Sequence, residues 1–100
     1  MATQTQSPRD RVIAEYEAQQ AATLARLPDE VRAVLDAMAN SEGRDTIVDG
    51  LANVLRTRER ADSAEWRMML LGSMNYACRV GDLTYGGLEI VNAYVATLRK

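Results

Sequence analysis

Apolar residues in this chain recur three and four positions apart, and no stretch of useful length alternates apolar with polar residues at a period of two. That spacing leaves helices as the building material, because a half-buried strand needs the period-two pattern. The expected fold class is all-α, a compact bundle of about five short helices, with residues 1–100 as one domain behind a polar tail at 1–7. A chain of this length buries roughly 65% of the surface its unfolded form exposes, enough for one core without disulfides or metals.

Punctuation divides the pattern. Ser7-Pro8-Arg9-Asp10 reads as a helix start, with Ser as N-cap, Pro at the first helical position and an acid at the third. Val12, Ile13, Tyr16, Leu24 and Leu27 then share one face, which Gln20 and Thr23 interrupt, so this first helix should pack most weakly. Pro28 ends it and opens a second helix with Asp29 and Glu30 in its first turn and Val31, Val34, Leu35 and Met38 along one side. Asn40-Ser41-Glu42-Gly43 reads as a helix end and turn, after which Asp45 caps a third helix carrying Ile47, Val48, Leu51, Val54 and Leu55. Gly50 inside that helix costs up to about 1 kcal/mol against Ala and points to a close neighbour. Asp62-Ser63-Ala64-Glu65 resembles a capping box for a fourth helix, which Gly81 ends. Residues 82–87 read as a loop with two adjacent glycines, and Leu88, Val91, Tyr94, Val95 and Leu98 mark a fifth helix.

The fourth helix is apolar nearly all round. Trp66, Met69, Leu70, Ser73 and Ala77 form one stripe, while Met68, Leu71 and Cys78 lie on the far side. Such a helix is either central in a bundle or presents an adhesive surface. The central position is the expectation, with Trp66 largely buried and Trp66→Ala costing roughly 3–5 kcal/mol.

Residue types that carry catalysis are scarce. The chain has no His, which removes the commonest general base, the commonest zinc ligand and every His-activated nucleophile. One Cys cannot build a structural zinc site, and the segment from Asn40 to Asp45 is too short for a carboxylate cation loop and holds Arg44 in its midst. Gly81-Asp82-Leu83-Thr84-Tyr85-Gly86-Gly87 lacks the Gly-Lys-Ser/Thr ending of a phosphate-cradling loop. The acid pairs Asp45/Asp49 and Asp29/Glu30 sit on polar helix faces rather than in a cleft. The expectation is a chain without catalytic residues, metal or cofactor.

Cys78 alone excludes an internal disulfide and suits a reducing compartment. The first seven residues lack the apolar centre of a secretory signal. The longest apolar run, Met68–Leu71, is far short of the roughly 20 residues a membrane span needs, so the expected location is cytoplasmic.

Charge then narrows the partner. The net charge is −2, but residues 1–50 hold nine acids against five Arg (−4) while residues 51–100 hold five acids against six Arg and Lys100 (+2). Asp29 and Asp36 share one side of the second helix, and Glu42, Asp45 and Asp49 continue into the third, a set suited to a partner surface lined by Lys and Arg. The alternative contact is basic, through Arg56, Arg58 and Arg60. The second and third helices also have helix-turn-helix proportions, but Asp45 and Asp49 would meet phosphates with like charge. Direct nucleic-acid binding and membrane binding are therefore not expected, and the partner is a protein or ribonucleoprotein complex with a basic surface. A homo-oligomer through the spare side of the fourth helix stands beside that reading.

A short, helical, mildly acidic, Cys-poor chain with no catalytic residues and an acid-bearing segment from Asp29 to Asp49 resembles the anti-CRISPR proteins of phages and mobile elements. The likeness is one of type rather than of motif. It implies an inhibitor that docks on a CRISPR surveillance complex and blocks its DNA binding. The alternative functions are a small helical regulator or antitoxin-like adaptor, a helix-turn-helix DNA binder and a structural homo-oligomer.

Overall fold

A computed structural model describes residues 7–98. Their secondary structure is all-α: α1 (Pro8–Ala25), α2 (Asp29–Asp36), α3 (Ser41–Thr57), α4 (Ser63–Arg79) and α5 (Tyr85–Thr97). The all-helical bundle expected from the apolar spacing is what the chain forms. Of the polar tail, only Ser7 falls within the described residues, and its hydroxyl accepts the Asp10 N–H at 3.1 Å to cap α1.

Two helices begin earlier than expected. Asn40 rather than Asp45 caps α3: its Oδ1 accepts the N–H groups of Glu42 and Gly43 at 3.1 and 3.4 Å, so Ser41–Gly43 is the first turn and not a loop. Thr84 Oγ1 accepts the Gly87 N–H at 2.9 Å and caps α5, which draws Tyr85, Gly86 and Gly87 out of the expected loop and into the helix. Gly87 is buried there because a Cβ would stand 2.9 Å from Val34 Cγ1. Asp62 holds the N-cap position of α4 without bonding its first turn. Its Oδ2 accepts instead from Trp66 Nε1 at 3.2 Å and from Arg60 at 3.1 Å. Gly81, at φ +84°, ends α4 as expected.

The centre of the bundle is α3, not α4. Ile47, Val48, Leu51, Val54 and Leu55 are all buried, and α3 packs on both α1 and α4. The expected neighbour of Gly50 is Leu70, whose Cδ1 lies 2.8 Å from where a Cβ would stand, so the two helices meet at close range. From α4 the fully buried apolar residues are Leu70, Met74 and Ala77, with Trp66 and Cys78 packed against the core at its edge; Leu27, Val31, Leu35 and Met38 join before α3 and Leu83, Val91 and Val95 after α4. Met68, Met69 and Tyr76 are 73%, 61% and 66% exposed, which places α4 on the surface. Trp66 is only half-buried, with the Arg56 guanidinium 5.5 Å over its ring. A helix apolar all round satisfies either environment, and here its far side is exposed to solvent.

The first helix packs as weakly as its broken stripe suggests. Every residue from 8 to 19 is exposed, and Thr23 is its one buried member. This half-docked helix extends the molecule to 53 × 32 × 22 Å and gives a radius of gyration of 15.3 Å, above the ~13 Å of a rounded domain of this size. No helix among the described residues is long and apolar enough to cross a membrane.

Candidate functional site: an acid-rimmed groove beside α4

A concavity of about 690 Å³ runs between the first turn of α3 and the outer side of α4. Met69, Gly72, Ser73, Tyr76 and Ala77 supply the α4 wall, and Asn40, Glu42, Gly43 and Thr46 supply the α3 wall. Asp82, from the α4–α5 connection, closes one end. Local chemistry fixes that end. Gly81 turns the chain with its positive φ, and the N–H groups of Asp82 and Leu83 both reach the Ala77 carbonyl, at 2.8 and 3.2 Å. Asp82 then accepts from Asn40 Nδ2 at 3.0 Å, while the other amide atom of Asn40 caps α3. One side chain thus ties the start of α3 to the end of α4. Gly43 leaves room for the tie, since a Cβ there would stand 3.3 Å from Asp82 Oδ2.

A second concavity, about 410 Å³, lies on the other flank of α4 against α5, lined by Met68, Leu71, Met74, Asn92 and Val95 among others. Arg67 borders it, donating to Ser63 Oγ at 3.1 Å while its Nε is buried without a partner. The outer face of α4 is therefore a ridge between two grooves, with Met69 facing one and Met68 the other.

The acids singled out in the sequence fare differently. Asp29 is exposed and paired with Arg32, and Asp36 is exposed at the end of α2. Glu42 stands on the rim of the larger groove. Asp45 and Asp49 border the seam with α1, Asp45 half-buried and Asp49 still exposed. Asp49 accepts from Tyr16 Oη at 3.0 Å and from Gln20 Nε2 at 2.6 Å, and Gln20 also reaches the Asp45 carbonyl at 3.4 Å. The Asp45 carboxylate is 3.9 Å from Arg44. Burial, the Asp49 hydrogen bond and the nearby negative charge push the Tyr16 phenol above its ordinary range.

The basic alternative is also partly engaged. Arg56 lies over Trp66 and donates to Asn53 at 3.0 Å, and Arg60 pairs with Asp62 at 3.1 Å. Arg58 is exposed at the end of α3. Cys78 is half-buried, its thiol donating to the Thr84 carbonyl at 3.7 Å, and burial raises its pKa. Among the described residues no three His, Cys, Asp or Glu side chains gather in a way that could hold a metal ion.

Sequence reasoning reached Glu42 but missed Asp82 and the groove between them. The available signal was the surplus of apolar residues on α4. Tyr16 and Gln20 were likewise missed as partners of Asp49, although a Gln breaking an apolar stripe marks a polar contact at a helix interface. No family model, curated relative or solved structure matches this sequence.

Proposed function

We propose that this protein is a non-catalytic, cytoplasmic inhibitor that grips a basic, partly apolar segment of a nucleic-acid-binding complex in the groove between α3 and α4. The observation that carries the reading is the composition of that groove. Carboxylates of Glu42 and Asp82 stand at its rim, and the adaptable side chains of Met69 and Tyr76 form its wall. Such a site complements Lys or Arg stems that bring their own apolar surface. Asp29 and Asp36 extend the negative field along α2 and would favour encounter with a positively charged partner. A partner held there loses the cations that it would otherwise present to DNA phosphates, which is the act that the likeness to anti-CRISPR proteins implies.

Two observations argue against direct DNA reading by α3. Tyr16 and Gln20 lie across the Asp45–Asp49 side of its N-terminal half. Arg56 and Arg60 are turned toward Trp66 and Asp62.

The test is DNA capture by CRISPR surveillance complexes with the protein in stoichiometric excess. Capture by a susceptible complex falls, and the Glu42→Lys/Asp82→Lys variant restores it. Capture unchanged across a panel of complexes, or inhibition untouched by the double variant, overturns the proposal.

A further inference from the structure

We propose that two copies of this chain associate through α4 in antiparallel orientation, with Gly72 of each copy at the crossing point. The inference goes beyond the reading above and does not depend on it. At about 100° per residue, Gly72 lies diametrically opposite the direction of Leu70 and Met74, the residues that fix α4 to the core. It is the centre of the outward ridge. Glycine in a helix interior is unfavourable by about 1 kcal/mol against alanine, so an interior glycine calls for a reason. Gly50 and Gly87 have theirs within the chain, where a Cβ would meet Leu70 or Val34 at under 3 Å. Around Gly72 nothing lies within 4 Å of the Cβ position. The close backbone approach that a glycine permits is therefore available only to a second molecule.

The charges on the ridge select that molecule. Glu65 lies seven residues before Gly72 and Arg79 seven residues after it, both exposed and within about 20° of the same direction. Neither forms an ion pair or side-chain hydrogen bond with any described residue. A two-fold axis through Gly72 brings Glu65 of one copy, about 10 Å from the crossing, opposite the partner's Arg79, and repeats the pairing at the other end. A parallel arrangement would set Glu65 on Glu65 and Arg79 on Arg79, so the charge order itself dictates antiparallel packing. The same operation brings Met69 level with the partner's Tyr76, a favourable thioether–aromatic pairing, and Met68 level with the partner's Asn75. The patch is thus complementary to itself in charge, in shape at the glycine and in apolar content. Because Met69 and Tyr76 also wall the α3–α4 groove, self-association and partner binding draw on the same side chains.

Sedimentation equilibrium of the full chain, from low micromolar to near-millimolar concentration, tests the pairing. The mass rises from the monomer's 11.1 kDa toward twice that value. Glu65→Arg alone and Arg79→Glu alone each weaken the dimer roughly tenfold or more, because each reverses two symmetry-related pairs. Mixing the two single variants restores association, since one copy then carries two Arg and the other two Glu. Gly72→Leu abolishes it, while circular dichroism shows all variants equally helical. A wild-type chain that stays monomeric throughout overturns the proposal, as does a dimer indifferent to these changes. A monomer whose Met69 methyl resonance shifts only on adding a Lys-rich amphipathic peptide assigns the ridge to a foreign segment, and equally overturns it.

Discussion

Gln20 donates to Asp49 at 2.6 Å across the seam between α1 and α3, and Tyr16 donates to the other oxygen of the same carboxylate at 3.0 Å. This three-residue contact substitutes for apolar packing along most of α1, whose sole buried residue is Thr23. Carboxylate-centred hydrogen bonds at an exposed seam contribute modestly, so α1 is the least firmly held helix.

Asp49→Ala should therefore loosen α1 without unfolding the rest. The expected loss of global stability is about 1 kcal/mol. Hydrogen exchange read by mass spectrometry should show protection falling across residues 8–25 and holding across Ile47–Leu55. Equal loss in both segments would mean that α1 is part of the cooperative core. Charge reversal at Asp49 consequently tests helix docking as well as partner binding, and Glu42 and Asp82 are the cleaner positions for the latter.

The same contact carries a pH dependence. The folded-state pKa of Tyr16 is raised, so its contribution is fully present below the unfolded value near 10 and is lost as pH rises through the folded value. Exchange protection of α1 should fall above about pH 10, while in Tyr16→Phe it should be lower throughout and lose that step. A wild-type profile identical to that of Tyr16→Phe would show that the phenol does not couple α1 to pH.

Two interior glycines should respond oppositely to alanine. At Gly50 the added methyl meets the fully buried Leu70 at 2.8 Å, and overpacking there should outweigh the gain in helix propensity, for a net loss of about 1 kcal/mol. At Gly72 the space is open, and Gly72→Ala should stabilise the monomer by roughly 0.5–1 kcal/mol. Thermal unfolding of dilute samples checks both signs.

The half-burial of Trp66 lowers the cost of removing it. Trp66→Ala should destabilise by about 2 kcal/mol rather than the 3–5 kcal/mol of a core aromatic, with Arg56→Ala removing roughly 0.5–1 kcal/mol through the lost ring contact. Leu51→Ala, at the buried centre of α3, should cost more than either, about 3 kcal/mol. Urea unfolding of the three variants gives the ranking.

Local signals were legible in the sequence, and contacts between distant segments were not. Ser7-Pro8, Pro28 and Gly81 marked their boundaries because each acts within a turn of its own position. Asn40 misled because Asn-Ser-Glu-Gly suits a turn as well as a capped first turn, and only the path of the chain sets Oδ1 over the Glu42 and Gly43 N–H groups. Met68, Met69 and Tyr76 could have been core or surface, since apolar character on every side of α4 says nothing about which helix covers which face. Of the candidate site, Glu42 was visible as one of a run of acids. Its companion Asp82 was not, because the bond that brings it to the groove spans 42 residues, from Asn40.

Cys78 offers a use that its setting makes specific. Its thiol is half-buried and held to the Thr84 carbonyl, and burial raises its pKa further above neutrality. Alkylating reagents attack the thiolate, so their rate at neutral pH should follow how often the corner between α4 and α5 parts, making the lone sulfur a built-in clock for that motion.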